Sequence, residues 1–316
     1  MRSDKHWPTL NPSMLEGFIN VLKPPGMTSH DVVGWVRAWL KMKRVGHLGT
    51  LDPAAAGVLP ISLGRATRLF RFASGPDKAY RAEIVFGART DTLDAEGEVV
   101  ARGDASSLSE DRLRELVDRF KGEVDQVPPA YSAVHVGGRR LYEEARKGTA
   151  PKARAKRVKI SDIEVRDFVA GSEARAIVDV VCSTGTYVRT IADDLGEAAG
   201  CGAYLGFLVR TRAGRFRLDD AWALEEIASA CRSGYVKKCV MPPDWPIADR
   251  PKIVLDGVAS ESFTHGMRVL ADGASGFPVR VYGPEGLFLG LAEVLAGGVV
   301  QPRVVIGGRQ ESGNAR

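Results

Sequence analysis

Asp52 is the only carboxylate between Asp31 and Asp77, and it lies in a segment rich in glycine. Pro53 follows it directly, which removes one backbone donor and fixes φ beside the carboxylate. Glycine is used where the backbone takes positive φ or where another chain approaches closely. The glycines of this segment are Gly46, Gly49, Gly57 and Gly64. Such a segment could hold one carboxylate in a defined position for chemistry.

A structural role for Asp52 carries equal weight at this point. Asp followed by Pro is also how a helix begins, with Asp52 as the N-cap and Pro53 at the first helical position. Helix-forming alanines follow from Ala54 to Ala56. The spacing alone does not separate the catalytic interpretation from the capping interpretation, and both can hold together.

Two further stretches contain aromatic and basic residues beside predicted elements. Tyr80 lies in an alternating run that predicts a strand over residues 78–87. A turn at Gly185 leads into a predicted helix with Tyr187 and Arg189 near its start. Arg189 could instead form an exposed pair with Asp193 at i,i+4 spacing, worth roughly 0.2–0.5 kcal/mol.

Bulk properties favour two domains and a polyanionic partner. The chain has 316 residues, a net charge of +5 and a pI near 9.0. We predict a flexible tail over residues 1–16, a catalytic domain over 17–245 with a basic insertion at about 122–160, a small β domain over 250–309 and a disordered tail over 310–316. A passage rich in proline separates the two domains.

The basic insertion contains the densest run of positive charge. Nine lysines and arginines lie between Arg139 and Lys159, against two glutamates. A charge run is usually a solvated loop, but clustered Lys and Arg are also the general source of affinity for nucleic acid. We predict RNA phosphate contacts at Arg154 and Lys156 in this run, and at Arg68, Arg210 elsewhere.

Other classes of protein find little support in the sequence. The four cysteines form no Cys-x-x-Cys pair and the five histidines show no ligand spacing, so we expect no metal site. The absence of a signal peptide and of a long apolar run favours the cytoplasm and no membrane contact. A glycoside or nucleoside hydrolase ordinarily needs two carboxylates, whereas the Asp52 segment offers one. A non-catalytic RNA-binding protein stays open as an alternative.

Three motifs carry a resemblance to a known family. Residues 46–53, with the downstream glycines and residues 59–60 and 66–67, resemble the signature of the TruB family of tRNA pseudouridine synthases. Residues 78–81 resemble its second motif, and residues 185–196 resemble its third. Residues 126–133 are similar to a segment of the bacterial branch. Where the first motif usually ends in Ala-Thr-Lys, this chain has Arg68.

The resemblance implies a fold and a reaction. The fold would be the pseudouridine synthase fold, an α+β fold with a mixed, largely antiparallel sheet flanked by helices, followed by a small all-β PUA-like RNA-binding domain. The reaction would convert uridine 55 in the T loop of tRNA to pseudouridine, without cofactor or metal. A secondary role in tRNA folding is compatible with this. We expect a monomer that binds the T stem-loop without a guide RNA.

The resemblance also assigns roles to residues of the three motifs. Asp52 would be the catalytic group, acting as a nucleophile or as the base of a glycal route, with Arg189 as its cationic partner. Tyr80 would stack on the target base and contribute its hydroxyl to catalysis. Binding of the flipped base would involve three further residues: His47 as a wedge in the RNA, Tyr187 and Leu208.

Overall fold

The computed structural model describes residues 15–129, Tyr131, 135–136, 139–140 and 154–307. The predicted disordered tail over 310–316 and about half of the basic insertion at 122–160 lie outside these ranges. Of the predicted flexible tail over 1–16, only Leu15 and Glu16 are described, and both are packed. Leu15 is buried, and Glu16 accepts a 2.6 Å hydrogen bond from Arg65. The predicted tail is therefore too long by these two residues.

The described residues contain six α-helices. They are α1 (Ser29–Leu40), α2 (Phe70–Ala73), α3 (Glu110–Asp118), α4 (Val188–Ala199), α5 (Leu224–Arg232) and α6 (Gly257–Thr264). In α1, Thr28 is the N-cap and forms a capping box with Asp31, which satisfies two backbone donors at the helix start. The valines Val32, Val33 and Val36 are buried on one face of this helix.

The strands divide into a large sheet, a C-terminal sheet and two short pairs. Those of the large sheet are β1 (Gly17–Lys23), β2 (Val45–His47), β3 (Ala56–Leu63), β4 (Asp77–Phe86), β7 (Gly122–Gln126), β10 (Lys156–Val169), β11 (Arg175–Ser183), β12 (Ala203–Ala213) and β13 (Phe216–Arg217). The short pairs are β5 (Ala88–Thr90) with β6 (Val99–Arg102), and β8 (His135–Val136) with β9 (Arg139–Arg140).

Within the described residues, the large sheet has nine strands with the path β1-β3-β12-β4-β11-β10-β7, to which β2 and β13 add at β3 and β12. Adjacent strands of this sheet are antiparallel, except that β3 and β12 are parallel where Gly57 pairs with Arg210. The parallel contact brings the segment that precedes β3 against the middle of β12. It therefore places Asp52, which lies in that segment, beside the residues of β12.

The C-terminal sheet contains five strands, β14 (Lys252–Val254), β15 (Val269–Leu270), β16 (Gly276–Tyr282), β17 (Phe288–Val294) and β18 (Val299–Val305). Their order is β14-β16-β17-β18-β15. Helix α6, which was not predicted, packs on this sheet through Phe263. The buried side chains Phe288, Leu291 and Ile306 join a core cluster that contains Phe18 and Phe216 of the large sheet.

These elements confirm the predicted α+β class, with a mixed and largely antiparallel sheet flanked by helices and a C-terminal β domain. The position of the domain boundary near residues 245–250 stays a prediction. None of the helices in the described ranges has the length and apolar character that a membrane crossing requires.

Candidate active site

A cavity of about 280 Å³ opens beside Asp52. Its walls come from three parts of the large sheet region: the segment before β3, the strands β4 and β12, and the turn that leads into α4. The lining residues are Thr50, Leu51, Asp52, Lys78, Tyr80, Thr184, Gly185, Thr186, Tyr187, Val188, Arg189 and Leu208. The fold thus brings all three sequence motifs to one cavity.

The segment that carries Asp52 is an extended turn and not a helix start. The amide of Ala55 donates to the Asp52 carbonyl at 3.1 Å, and β3 then begins at Ala56. The capping interpretation of Asp52 is therefore wrong. After Asp52 the chain continues into β3, whose backbone pairs with β12, and no helix begins at Asp52.

Lys23 stabilises the segment that carries Asp52 through hydrogen bonds to its backbone. Its side chain is fully buried, and its ammonium donates to the carbonyls of Pro53 at 3.0 Å and Ala55 at 2.6 Å. Ser29 adds a reciprocal pair of bonds with the backbone of Leu51, at 2.9 and 3.1 Å. Burial lowers the pKa of Lys23 to about 8, while the nearby Asp52 opposes this shift. No motif or spacing in the sequence indicated that Lys23 would contribute to this site.

Arg210 holds the same segment from the side of the sheet. Its side chain is fully buried and donates to the carbonyls of Val58, Thr50 and Gly49 at 2.7, 3.2 and 3.0 Å. The predicted phosphate contact of Arg210 is therefore wrong, because a buried guanidinium occupied by backbone carbonyls cannot reach RNA. Its role is to fix the backbone on both sides of Asp52.

Arg189 pairs with Asp52. The guanidinium lies 3.0 Å from the Asp52 carboxylate and 3.2 Å from that of Asp94. It also donates to the carbonyl of Tyr131 at 3.0 Å. The alternative pair with Asp193 does not form, because Asp193 accepts two hydrogen bonds from Arg89 instead. Arg189 is thus a buried cation whose position is fixed from several directions.

Asp94 is a site residue that the sequence did not reveal. It lies in an acidic turn with no recognisable ligand pattern, and an isolated bridge to Leu205 brings this turn to the sheet. Its carboxylate accepts bonds from the Thr92 hydroxyl at 2.6 Å and the Glu96 amide at 3.1 Å. These bonds hold the carboxylate in place while it shares Arg189 with Asp52.

Tyr80 and Leu208 form the apolar wall of the cavity. Both are at least nine-tenths buried, and they lie on the neighbouring strands β4 and β12. Burial raises the pKa of the Tyr80 phenol above its ordinary value of 10, although the positive charge of Arg210 opposes this. A flat aromatic ring beside an aliphatic side chain is suited to contact the faces of a nucleobase.

Tyr187 also lines the cavity, and it occupies the N-cap position of α4. Its amide donates to Gln126 Oε1 at 3.0 Å, and its carbonyl accepts from Gln126 Nε2 at 3.2 Å. His47 lies outside the cavity lining, on β2 opposite Ile61. Burial lowers the pKa of His47, so its imidazole is neutral at neutral pH.

Lys78 is the second cation that lines the cavity, after Arg189. The sequence did not identify it as a site residue. Its side chain is 7% exposed and its amine lies close to Gly49. Burial, followed by the charge of Arg210, lowers the pKa of Lys78 to about 8. A lysine on β4 two residues before Tyr80 points to the same face of the strand, which is the signal that could have found it.

The remaining predicted phosphate contacts have different surroundings. The amine of Lys156 lies close to Gly185, a lining residue, and its side chain is exposed. Arg154 is exposed two residues earlier. Arg68, which lies in a short 3-10 helix after β3, is exposed and donates to the Val305 carbonyl of the C-terminal sheet at 2.9 Å. Their contacts with RNA stay predictions.

Family models match three successive parts of the chain. The "TruB family pseudouridylate synthase (N terminal domain)" matches residues 37–188, and the "tRNA pseudouridylate synthase B C-terminal domain" matches residues 189–247. The model "Pseudouridine synthase II TruB, C-terminal" matches residues 251–306. The chain belongs to the TruB family of pseudouridine synthases. Like its family, it is an isomerase that converts uridine to pseudouridine in tRNA.

Relatives support this over most of the chain. The tRNA pseudouridine synthase B of Symbiobacterium thermophilum is 51% identical over 255 residues, which cover 81% of this chain and 83% of the relative. That of Moorella thermoacetica is 47% identical over 289 residues, covering 89% and 94%. These matches confirm the resemblance that the three motifs carried.

Solved structures show the same fold. A structure of an H/ACA RNP bound to a substrate RNA containing 2'-deoxyuridine matches with a TM-score of 0.71 and 25% identity, covering 94% of this chain and 87% of that one. A Cbf5-Nop10-Gar1 complex matches with a TM-score of 0.68 and 27% identity, covering 92% and 84%. The predicted pseudouridine synthase fold is therefore confirmed. Among the described residues, no group of three His, Cys, Asp or Glu side chains could hold a metal ion.

Proposed function

We propose that this isomerase acts on uridine 55, in the T loop of tRNA, with Asp52 as its catalytic carboxylate. The observation that carries this proposal is the pairing of Asp52 with buried Arg189 at the wall of the cavity. The relatives named tRNA pseudouridine synthase B support tRNA as the substrate. The residues of the cavity then have roles that follow from the chemistry of the reaction.

The reaction breaks the bond between N1 of uracil and C1′ of ribose and forms a bond from C5 to C1′. The C5 proton leaves in exchange. Asp52 serves either as the nucleophile or as the base that removes a sugar proton, since its side chain is 46% exposed and reachable by the nucleotide. Arg189 keeps an opposite charge beside Asp52 when bound RNA excludes water, which offsets the cost of desolvation.

A paired uridine reaches this site only after it leaves the stack. Flipping costs a few kcal/mol, which contacts in the pocket must repay. The cavity of about 280 Å³ lies at the lower end of the range for small-molecule sites, so it suits one nucleoside and not a helix. Tyr80 and Leu208 contact the flipped base, Tyr187 closes the other side, and Tyr80 supplies a hydroxyl near C5.

His47 fills the space that the base vacates. It lies on β2, outside the lining of the cavity, as a residue that enters the RNA and does not touch the reacting atoms would. Its imidazole is neutral, which suits insertion among stacked bases. Lys156, whose amine lies close to Gly185, and the exposed Arg154 contact phosphates of the same RNA.

The enzyme acts on the T stem-loop directly, as a monomer in the cytoplasm and without a guide RNA. Asp52, Tyr80, Arg189 and Leu208 come from one chain, so the site needs no second copy. The catalytic domain spans residues 17–245, and the PUA-like domain over 250–309 adds further contact with RNA. No redox step occurs in the isomerisation, so the proposed reaction needs no cofactor.

Release of tritium from RNA that carries [5-³H]uridine tests the reaction. Isomerisation liberates the C5 hydrogen and leaves the RNA mass otherwise unchanged, and carbodiimide labelling then maps the product to one position. The Asp52→Asn variant should release no tritium while it still binds the T stem-loop, and exposed Asp219→Asn serves as the matched control. Full activity of Asp52→Asn would overturn the assignment of the catalytic residue.

The same assay separates the two alternatives. A nucleoside or glycoside hydrolase would free uracil and leave an abasic site. A protein that only binds or folds RNA would release neither tritium nor uracil. Product at a position other than uridine 55 would keep the isomerase and reject the proposed target.

A further inference from the structure

A second cavity, of about 250 Å³, lies between the large sheet and the segment that leads to the C-terminal sheet. We call it the arginine cavity, because three of its lining residues are Arg212, Arg215 and Arg250. The other lining residues are Phe72, Gly75, Pro76, Asp77, Gly214, Pro246, Ile247 and Asp249. None of the catalytic roles described above uses it.

The guanidinium of Arg215 is ordered before any ligand arrives. It lies 5.3 Å from the centroid of the Trp245 ring, in a cation–π arrangement. Trp245 in turn packs at 5.1 Å against Phe216, a buried core residue. A guanidinium stacked on a ring keeps its N–H edge available, and this edge matches the geometry of a phosphate.

The backbone that carries Arg250 is also fixed. The Tyr282 hydroxyl donates to Asp244 at 2.6 Å, which ties the C-terminal sheet to the start of this segment. Arg280 donates to the Arg250 carbonyl at 2.9 Å. The segment between these two points is therefore held against the C-terminal sheet near both of its ends.

Positive charge is in excess in the arginine cavity. Its two carboxylates, Asp77 and Asp249, face three guanidiniums. Asp249 approaches Arg250 only at 3.8 Å, in an exposed pair. Within the described ranges, neither Arg212 nor Arg215 forms an ion pair. Both arginines are thus available to an anionic ligand.

The arginine cavity is close to the catalytic cavity. Gly75, Pro76 and Asp77 line the former, while the next residue, Lys78, lines the latter. Thr184, which also lines the catalytic cavity, donates to the Pro76 carbonyl at 3.1 Å. Four consecutive residues span at most roughly 10 Å, which corresponds to about three nucleotide steps along a strand at ~3.4 Å each.

We propose that the arginine cavity binds one backbone phosphate of the substrate RNA, within about three nucleotides of the uridine that enters the catalytic cavity. This inference rests on the proposed function, because the ligand is the RNA that presents the target base. The contact would fix the distance between the RNA backbone and the catalytic cavity, and so help to choose which nucleotide is flipped.

The salt dependence of binding tests the charge contribution. For each phosphate contact that is lost, the slope of log K against log [salt] should decrease in magnitude by about 0.7–0.9. We expect this decrease in the double variant Arg212→Gln with Arg215→Gln. Its dissociation constant for a T stem-loop RNA should also be several-fold larger. The matched control is Arg217→Gln, an exposed arginine two residues beyond Arg215 that does not line either cavity. Its slope should equal that of the unaltered protein.

A scan of the RNA tests the site with the unaltered protein. Each phosphate near the target is replaced in turn by a neutral methylphosphonate, and binding is measured for the protein with and without the double substitution. One position should weaken the unaltered protein several-fold and leave the double variant unaffected. That position should lie within about three nucleotides of the target. If no methylphosphonate within about three nucleotides of the target weakens binding of the unaltered protein, the proposal is overturned, and this outcome does not depend on whether the double variant folds.

Two further outcomes separate this proposal from others. Millimolar inorganic phosphate that protects Arg215 from arginine-modifying reagent, without any coupled position in the RNA, would assign the cavity to a free anion and reject the RNA contact. Binding is measured independently of catalysis, so a coupled position together with a failed tritium assay would reject the proposed function and keep the phosphate site.

Discussion

Arg189 and Asp52 form an ion pair at 3.0 Å in which the arginine side chain is 7% exposed and the carboxylate 46% exposed. The cation is thus fixed inside the protein, while the carboxylate can reach a ligand in the cavity. Asp94 contacts the same guanidinium at 3.2 Å, so one arginine serves two carboxylates. This arrangement determines where the Asp52 carboxylate stands before RNA binds.

Arg189→Lys should lower the rate of isomerisation by ~100-fold, because a lysine ammonium is a point charge that cannot bridge two carboxylates in fixed geometry, and a misplacement of about 1 Å has a cost of that size. Single-turnover tritium release at saturating RNA measures the effect. Arg89→Lys is the matched control. Arg89 forms an ion pair with Asp193, which lies on the same helix as Arg189 but outside the cavity lining. An unchanged rate in Arg189→Lys would show that charge alone, without bridging geometry, suffices.

Tyr80→Phe should keep RNA binding but lower turnover by about 100-fold, the smaller end of what general acid–base groups contribute. The ring that contacts the base stays, whereas the hydroxyl near C5 is lost. Because Tyr80 is buried, the melting temperatures of the two proteins are compared as well. Turnover equal to that of the unaltered protein would leave Tyr80 with a stacking role only.

The sequence predicted which residues line the cavity better than it predicted the residues that support them. Asp52, Tyr80 and Arg189 lie in motifs whose order along the chain is specific, and the structure places all three at the cavity. Asp94 was missed because its partnership with Arg189 depends on a turn that meets Leu205 far along the chain. No local pattern in an acidic turn reports such a contact.

Arg210 shows a second reason why prediction failed. Arg210 and Arg212 are two residues apart on β12, and simple alternation places them on one face of the sheet. The register shifts between these two residues, and a bulge redirects side chains. Arg210 therefore points into the protein and bonds the Asp52 segment, while Arg212 lines the arginine cavity. A run of arginines in a sequence contains no sign of this irregularity.

Lys78→Met should remove part of the pH dependence of stability. Burial lowers the pKa of Lys78 from 10.5 to about 8, so between these values the unfolded chain holds the proton and the folded chain does not. Stability rises with pH wherever the unfolded state binds more protons. Between pH 8 and 10, Lys78 should therefore add about 2 kcal/mol to the free energy of unfolding.

Urea denaturation of both proteins at pH 8 and pH 10 measures this contribution as a difference of differences. Other groups that titrate in this range, including Lys23, are present in both proteins and cancel on subtraction. The gain between the two pH values should be smaller in Lys78→Met. Equal gains would mean that the folded protein keeps the Lys78 proton up to its ordinary pKa.

Gly57→Ala should damage the site without touching the cavity. Gly57 has a φ of +109°, and a Cβ there would lie 2.3 Å from the carbonyl oxygen of Arg210 and 2.7 Å from its amide nitrogen. Relief requires β3 and β12 to separate where they are parallel, which displaces the Arg210 bonds to Gly49 and Thr50. We expect a loss of more than about 2 kcal/mol in the free energy of unfolding and a lower rate of isomerisation.

Gly34→Ala is the matched control. Gly34 lies in α1 with nothing within 4 Å of the added Cβ, so the free energy of unfolding of that variant should increase by about 0.5–1 kcal/mol. If the two variants unfold at the same urea concentration, the close contact of β3 with β12 is not what holds Asp52 in position.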